Sequence, residues 1–209
     1  MTTISPMLLV FDTASSACTV ALFDGSGECI AHADEIIGRG HAERLVPMIA
    51  ELMDGRAAKR ILVGVGPGSF TGIRVAIAAA HGLAIGWGAE LEGMSSVALL
   101  AAGAGGRGAV AAAVLGGHGE LFVQQYDAST LEPTSALINA TPFEAGRLIK
   151  AELVVGSGAK ALVEARGSGE ARELWPSAAN ALRLPRELRT LLPKPVYARA
   201  PDARAKEAA

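Results

Sequence analysis

Residues 61–74 restrict the fold more than any other stretch of the chain. Residues 61–65 are a short apolar run with no polar alternation, as expected of a strand buried on both faces. The run passes directly into Gly66-Pro67-Gly68-Ser69-Phe70-Thr71-Gly72. Glycines and a proline packed this closely prescribe a sharp turn with close backbone approach. A helix is read next, from Ile73 to about Trp87, rich in alanine and apolar nearly all round. Such a helix packs on more than one side, so it is a core helix, a partner-facing helix, or both.

The segments before this turn read as a sheet opening. Residues 7–12, 18–24 and 28–36 are strand-like, and Asp24-Gly25-Ser26-Gly27 is a hairpin turn, giving a three-strand meander. From Ala42 the period changes, with Ala42, Leu45, Val46, Ile49 and Met53 at three- and four-residue steps. That spacing predicts an amphipathic helix, which Pro47 must either kink or force to start later. Gly103-Ala104-Gly105-Gly106-Arg107-Gly108 marks a boundary between a first unit, 1–105, and a smaller second unit, 106–209. The second unit restarts with strands at 109–115 and 121–127. A helix headed by Thr141, Pro142 and Glu144 comes next, with these as cap, first-turn proline and capping-box acid. A strand at 153–156, helices at 159–166, 177–184 and 186–192, and a polar tail from Asp202 complete the chain. Strand meander followed by alternating helix and strand, twice over, predicts an α/β protein built from two related halves.

Composition excludes several classes. Of 209 residues half are apolar, enough to bury a sizeable core. Nineteen basic against 21 acidic residues leave a net charge of -2, so no overall positive field gathers phosphates, and unaided nucleic-acid binding is not expected. A tight hairpin at 24–27 sets Cys29 near Leu22 rather than Cys18, so no disulfide is expected. The opening Met1-Thr2-Thr3 lacks a basic export n-region, which points to a cytoplasmic protein. The most apolar window, 75–89, is shorter than the ~20 residues that cross a bilayer and reads as a buried helix with no membrane role.

The same residues suggest chemistry only weakly. A glycine turn at a helix N-terminus can cradle phosphate, but this one lacks the Lys-Ser/Thr ending of a Walker loop. Arg74 suits a phosphate, an acidic partner or a local pair. Ser69 and Thr71 suggest a nucleophile, yet no spacing supplies a base and an orienting acid. His41 heads its helix as a capping or interface residue, and His81 sits on the apolar helix as a core or contact histidine.

Gly66-Pro67-Gly68-Ser69-Phe70-Thr71-Gly72-Ile73-Arg74 closely resembles the signature of the TsaB (YeaZ) family. In the same order the chain carries Phe11-Asp12-Thr13-Ala14-Ser15, His41-Ala42-Glu43-Arg44-Leu45-Val46-Pro47, Gly93-Met94-Ser95-Ser96-Val97, Val154-Val155-Gly156-Ser157-Gly158-Ala159 and Pro195-Val196-Tyr197-Ala198-Arg199. The resemblance implies two ribonuclease-H-like domains of the actin and sugar-kinase (ASKHA) type. It also implies a non-catalytic subunit of the bacterial complex that makes threonylcarbamoyladenosine (t6A) in tRNA. Its partners would be the transferase TsaD and the ATPase TsaE, with tRNA reached through the complex and a homodimer formed when the chain is alone.

TsaD-type proteins look like distant relatives with two metal-binding histidines four residues apart. Matching Gly93-Met94-Ser95-Ser96 onto them puts Ser96 and Leu100 at those positions, so no metal site or cofactor of its own is expected. Asp12 stands where actin-like ATPases keep an acid beside the nucleotide's metal, but Thr13-Ala14-Ser15 lacks the glycine that wraps phosphate. ATP contact is therefore expected, if anywhere, at an interface shared with another subunit. The expected partner surface comprises His41, Leu45, Met48 and Ile49 of one helix and Ile73, Ile77, Ala78 and His81 of the next. The competing class is an enzyme, either a stand-alone glycopeptidase-like protein or an ASKHA-type ATPase; a structural dimer unconnected with tRNA is a third. Two departures from the family pattern are a short linker between Asp54 and Ile61 and the altered segment Gly116-Gly117-His118-Gly119-Glu120.

Overall fold

The computed structural model describes residues 6–197. Its first sheet comprises β1 (Leu8–Asp12), β2 (Ala17–Phe23), β3 (Cys29–Ile36), β4 (Arg60–Gly64) and β5 (Glu90–Met94), in the order β3-β2-β1-β4-β5. The first three strands form the expected antiparallel meander, and β4 and β5 run parallel to β1. The second sheet comprises β6 (Ala109–Leu115), β7 (Leu121–Asp127), β8 (Ile138–Ala140), β9 (Leu153–Val155) and β10 (Glu170–Arg172), ordered β10-β9-β6-β7-β8. Here too the first three are antiparallel and the last two parallel to the first. Counted from its own first strand, each half has the order 3-2-1-4-5, so the two halves share one topology.

Strand alternation sorts the side chains into three cores. Leu9, Phe11, Val20, Leu22, Ile61 and Val63 face α1 (His41–Met53) and α2 (Phe70–Trp87). From the same strands Leu8, Val10, Ala21, Phe23 and Leu62 face the other way. There they meet α3 (Ser96–Ala102) and Val110, Ala112, Val114 and Tyr126 of the second sheet. The second sheet's far side, with Ala111, Ala113, Leu121 and Val123, lies under α4 (Pro142–Leu148) and α5 (Ala159–Arg166). The layers are therefore helix, sheet, helix, sheet, helix, and the middle layer is a core both halves share.

The chain end also crosses between the halves. Leu191 bridges Gly93 of β5, the Ser95 amide donates to the Leu188 carbonyl (2.9 Å), and the Val196 amide donates to the Val65 carbonyl (2.9 Å). Residues 188–197, which the sequence assigns to the second unit, thus lie along the first sheet. The tail from Asp202 falls outside the described residues.

Several local expectations change. Helix α2 begins at Phe70, three residues before Ile73, because the Ser69 hydroxyl accepts from the Gly72 amide (3.2 Å) and caps it. Helix α1 begins at His41 and runs through Pro47 rather than starting later. The helices expected over 177–184 and 186–192 shrink to 3-10 turns, Ala178–Arg183 and Arg186–Leu188, on either side of Pro185. A register shift at Leu22/Phe23 pairs Cys29 with Phe23 instead of Leu22. Both cysteines are free.

Candidate functional site

The glycine turn sits where the parallel pairing of β4 with β1 delivers it, at the end of β4 beside the end of β1. The Ser69 amide donates to the Ala14 carbonyl (2.7 Å), and the Thr13 hydroxyl donates to the Gly72 carbonyl (2.7 Å). A Cβ at Gly72 would collide with the Thr13 carbonyl, and one at Gly64 with the Asp12 carboxylate. Glycine is therefore required by close approach, as inferred from the sequence for the turn. Arg74, one turn into α2, meets no carboxylate among the described residues. Its guanidinium lies 3.4 Å from the Phe70 ring centroid and donates to the Tyr197 hydroxyl at 3.2 and 3.1 Å.

Asp12 is fully buried. One carboxylate oxygen accepts from the Ala14 amide (2.8 Å) and the other from the Ser96 hydroxyl. Ser96 Oγ in turn accepts from the Gly66 amide at 3.0 Å. Burial raises the Asp12 pKa above the usual carboxylate range, opposed by those two hydrogen bonds and by the charge of His41. The cavity beside Asp12, walled by Ser15, Pro67, Ser96, Ser157 and Trp175, holds about 10 Å³, room for one water at most. The space directly beside Asp12 is smaller than a nucleotide, and both Asp12 oxygens are already hydrogen-bonded. A larger groove of about 1100 Å³ opens between the halves, lined among others by Gly68, Phe70, Arg74, Leu115, Trp175 and Tyr197.

The candidate contact residues divide by face. Leu45, Met48, Ile49, Ile73 and Ile77 are buried in the first half's own core, so they offer no surface to a partner. His41 is buried as well, and its Nε2 has no hydrogen-bond partner among the described residues. It caps nothing, since Gly40 precedes the helix. Ala78 and His81 are exposed, which also removes His81 from the core. The outward side of α1 carries an apolar stripe, Ala42, Val46 and Ala50, beside the exposed Glu43, Pro47 and Glu51, and that of α2 carries Ala78, His81 and Ile85, the last 84 % exposed. Ala42 and Val46, read with Leu45, Ile49 and Met53 as one apolar face, are exposed instead, and Ala50 and Ile85, two turns from Ala42 and Ala78, carry no signal of their own in the sequence. At 18 residues and mean hydropathy 1.3, α2 is by length and composition alone sufficient to cross a membrane, longer than the 75–89 window and only 28 % buried. It is one-sided rather than enclosed: its inner stripe packs on the sheet.

The family model for TsaD, the tRNA N6-adenosine threonylcarbamoyltransferase, matches residues 33–141. The tRNA threonylcarbamoyladenosine biosynthesis protein TsaB of Escherichia coli is 35 % identical over 127 residues, 57 % of this chain and 54 % of that protein. Its Haemophilus influenzae counterpart is 39 % identical over 84 residues, 38 % of this chain and 35 % of that protein. These matches span about half or less of the curated relatives' length. YeaZ from Pseudomonas aeruginosa superposes with a TM-score of 0.78 at 29 % identity, over 92 % of this chain and 99 % of that structure. A second Pseudomonas aeruginosa structure, described as similar to peptidase YeaZ, gives 0.79 at 30 % identity over 93 % and 100 %. The chain belongs to the TsaB (YeaZ) family. The ethanolamine utilization protein EutJ of Carboxydothermus hydrogenoformans shares the fold alone, with a TM-score of 0.51 at 15 % identity over 86 % of this chain and 89 % of that one.

In this TsaB-family chain the TsaD-model match covers α1, the glycine turn, α2 and α3, but not β1 or Asp12, Thr13 and Ala14 at its end. Ser96 and Leu100, at the positions matched to the metal-binding histidines, lie at the start and middle of α3. Ser96 is bonded to Asp12 and Gly66, and Leu100 is buried in the shared core. Among the described residues no three His, Cys, Asp or Glu side chains cluster as a metal site would require. Ser69, the nucleophile of the peptidase reading, has its hydroxyl turned to the Gly72 amide as a helix cap.

Proposed function

We propose that this chain is the non-catalytic subunit of a t6A-forming complex, binding and activating a TsaD-type transferase through α1 and α2 and cooperating with the ATPase TsaE. The observation that carries this is the outward stripe Val46, Ala50, Ala78 and Ile85 on two adjacent helices, apolar where solvent alone would favour charge. Covering it stabilises association by about 25 cal/mol per Å² before ordering costs are subtracted. In the absence of TsaD the same stripe pairs two copies as a weak homodimer. The sealing of Asp12 supports a chain that has no cofactor of its own and meets ATP only at a surface shared with another subunit. The pair of 3-2-1-4-5 sheets supports the ribonuclease-H-like, ASKHA-type assignment. On this proposal tRNA is reached through the partners, and the complex works in the cytoplasm.

The test is co-purification with TsaD after Ala78→Glu and Val46→Glu. Leu83 is a poorer choice than Val46, being half-buried against the core. Each variant is expected to keep the wild-type Tm and circular dichroism while losing at least tenfold in affinity. Survival of the complex with both charges present would move the interface elsewhere. ATP turnover or peptide cleavage by the isolated chain, abolished by Asp12→Ala, would instead establish the enzyme.

A further inference from the structure

A buried carboxylate is a poor way to fill space. Desolvation disfavours its charged form, and an apolar side chain would fill the same gap between the sheets without that cost. Asp12 nevertheless has both oxygens engaged, and Gly64 lies beneath it where any side chain would strike the carboxylate. Its bonds lead to one place. Ser96, on the first turn of α3, donates to Asp12 and accepts from the Gly66 amide, while the Ser96 amide donates to the Gly66 carbonyl at 3.0 Å. On the far side of the turn, Thr13 holds the Gly72 carbonyl and Ala14 accepts from Ser69. The residues directly after Asp12 thus hold the start of α2, while Asp12 holds the start of the turn through Ser96.

We propose that Asp12 and Ser96 are a positioning pair, an internal crosslink that fixes the glycine turn from Gly66 to Gly72 and thereby sets α2 for its partner. Ser96 is the working residue of the pair, because its side chain bridges the acid and the start of the turn, whereas Ala14 reaches both through its backbone. The recognition half of this inference rests on the proposed partner role; the crosslink itself does not.

The experiment has two arms, with Ser96→Ala, Ser96→Thr and Asp12→Asn. In the isolated chain, amide hydrogen exchange over residues 66–73 is expected to rise about tenfold in Ser96→Ala, the size of one lost buried hydrogen bond. Exchange in α4 and α5 should stay unchanged. Asp12→Asn should give a smaller rise, since its amide keeps the Ala14 bond but presents a donor to a Ser96 oxygen that already accepts from Gly66. In the second arm, affinity for TsaD should fall about fivefold in Ser96→Ala and be rescued by Ser96→Thr, which keeps the hydroxyl. Unchanged exchange at 66–73 in both Ser96→Ala and Asp12→Asn would overturn the crosslink. Raised exchange with undiminished TsaD affinity would overturn its role in recognition. A wild-type chain that fails to bind TsaD at all would sink the partner role, and with it the recognition half, while the exchange arm still decides the crosslink.

Discussion

Two strand-to-helix turns occupy the same place in the two halves. After β4 the Ser69 amide donates to the Ala14 carbonyl at 2.7 Å; after β9 the Gly158 amide donates to the Ala113 carbonyl at 2.9 Å. In both, glycines lie against those carbonyls where a Cβ would press on backbone. The helices that leave the two turns are unlike. Helix α5 has 8 residues and an exterior carrying the exposed pair Lys160 and Glu164, whereas α2 has 18 and exposes Ile85. An 18-residue helix is about 27 Å long, against about 17 Å for a five-residue strand such as β4. The sheet therefore accounts for the turn in each half but not for the length or the apolar exterior of α2. Under the proposed partner role those features serve contact with another chain.

The sharpest way to break the comparison is to add a methyl group at both turns. Gly72→Ala drives a Cβ into the Thr13 carbonyl, and Gly156→Ala meets the Ala113 carbonyl at 2.5 Å from a backbone at φ 109°. Neither neighbour is a flexible side-chain end, so each substitution should cost about 3 kcal/mol or more. Thermal melts should show this as a fall of roughly 6–12 °C. Gly86→Ala on the open side of α2 meets nothing and should stabilise by about 0.5–1 kcal/mol. A neutral Gly156→Ala beside a damaging Gly72→Ala would show that the turns are not equivalent.

Next in size is a contrast between helix exteriors. Ile85→Lys should weaken TsaD binding about tenfold, about 1.4 kcal/mol, with no loss of Tm. Leu148→Lys at the end of α4, also exposed at 62 %, should change affinity less than twofold. Titration calorimetry on both decides whether recognition belongs to the first half alone.

The strand ends differ as well, and pH reads the difference. Asp12 closes β1, while β6 carries no acid along its length. Because folding raises the Asp12 pKa, its favourable contribution is complete below the unfolded pKa and is lost as pH rises through the folded one. Denaturant midpoints should therefore decline over that interval in the wild type. Asp12→Asn should remove that part of the decline, and an unchanged pH profile would mean that Asp12 is not the titrating group.

Much of this is legible in the sequence alone. The apolar runs in β1 and β4, the meander, the glycine turn and the Thr141 capping box all obey local rules, and each is found in the structure. Helix α3 escapes because its seven residues are buried on all sides between two sheets, which erases any amphipathic period. Strand β10 is exposed along its length and has no alternation to detect. Most of the residues expected to face a partner on α1 and α2 turn out buried, for a simple reason. The strong stripe of Leu45, Met48, Ile49, Ile73 and Ile77 points at the helices' own sheet, and half of the outward stripe is alanine. Asp12 is visible as a strand-end acid, but its partner Ser96 lies 84 residues away, and no local pattern joins them.

The helix caps give the finest comparison between the halves. Ser69 caps α2 with one bond, its hydroxyl accepting from the Gly72 amide. Thr141 caps α4 with a reciprocal pair: its hydroxyl accepts from the Glu144 amide at 3.3 Å, and Glu144 accepts from the Thr141 amide at 3.0 Å. Thr141→Ala should cost about 1 kcal/mol, the usual value of a side-chain cap. Ser69→Ala should cost less, because the Ser69 amide stays pinned to Ala14 and the Thr13 hydroxyl still grips the Gly72 carbonyl, so the first turn of α2 is held without the cap. Equal losses in the two variants would mean that the contacts from β1 add nothing to the start of α2. A smaller loss at Ser69 would mean that the long helix is anchored by the strand beside it.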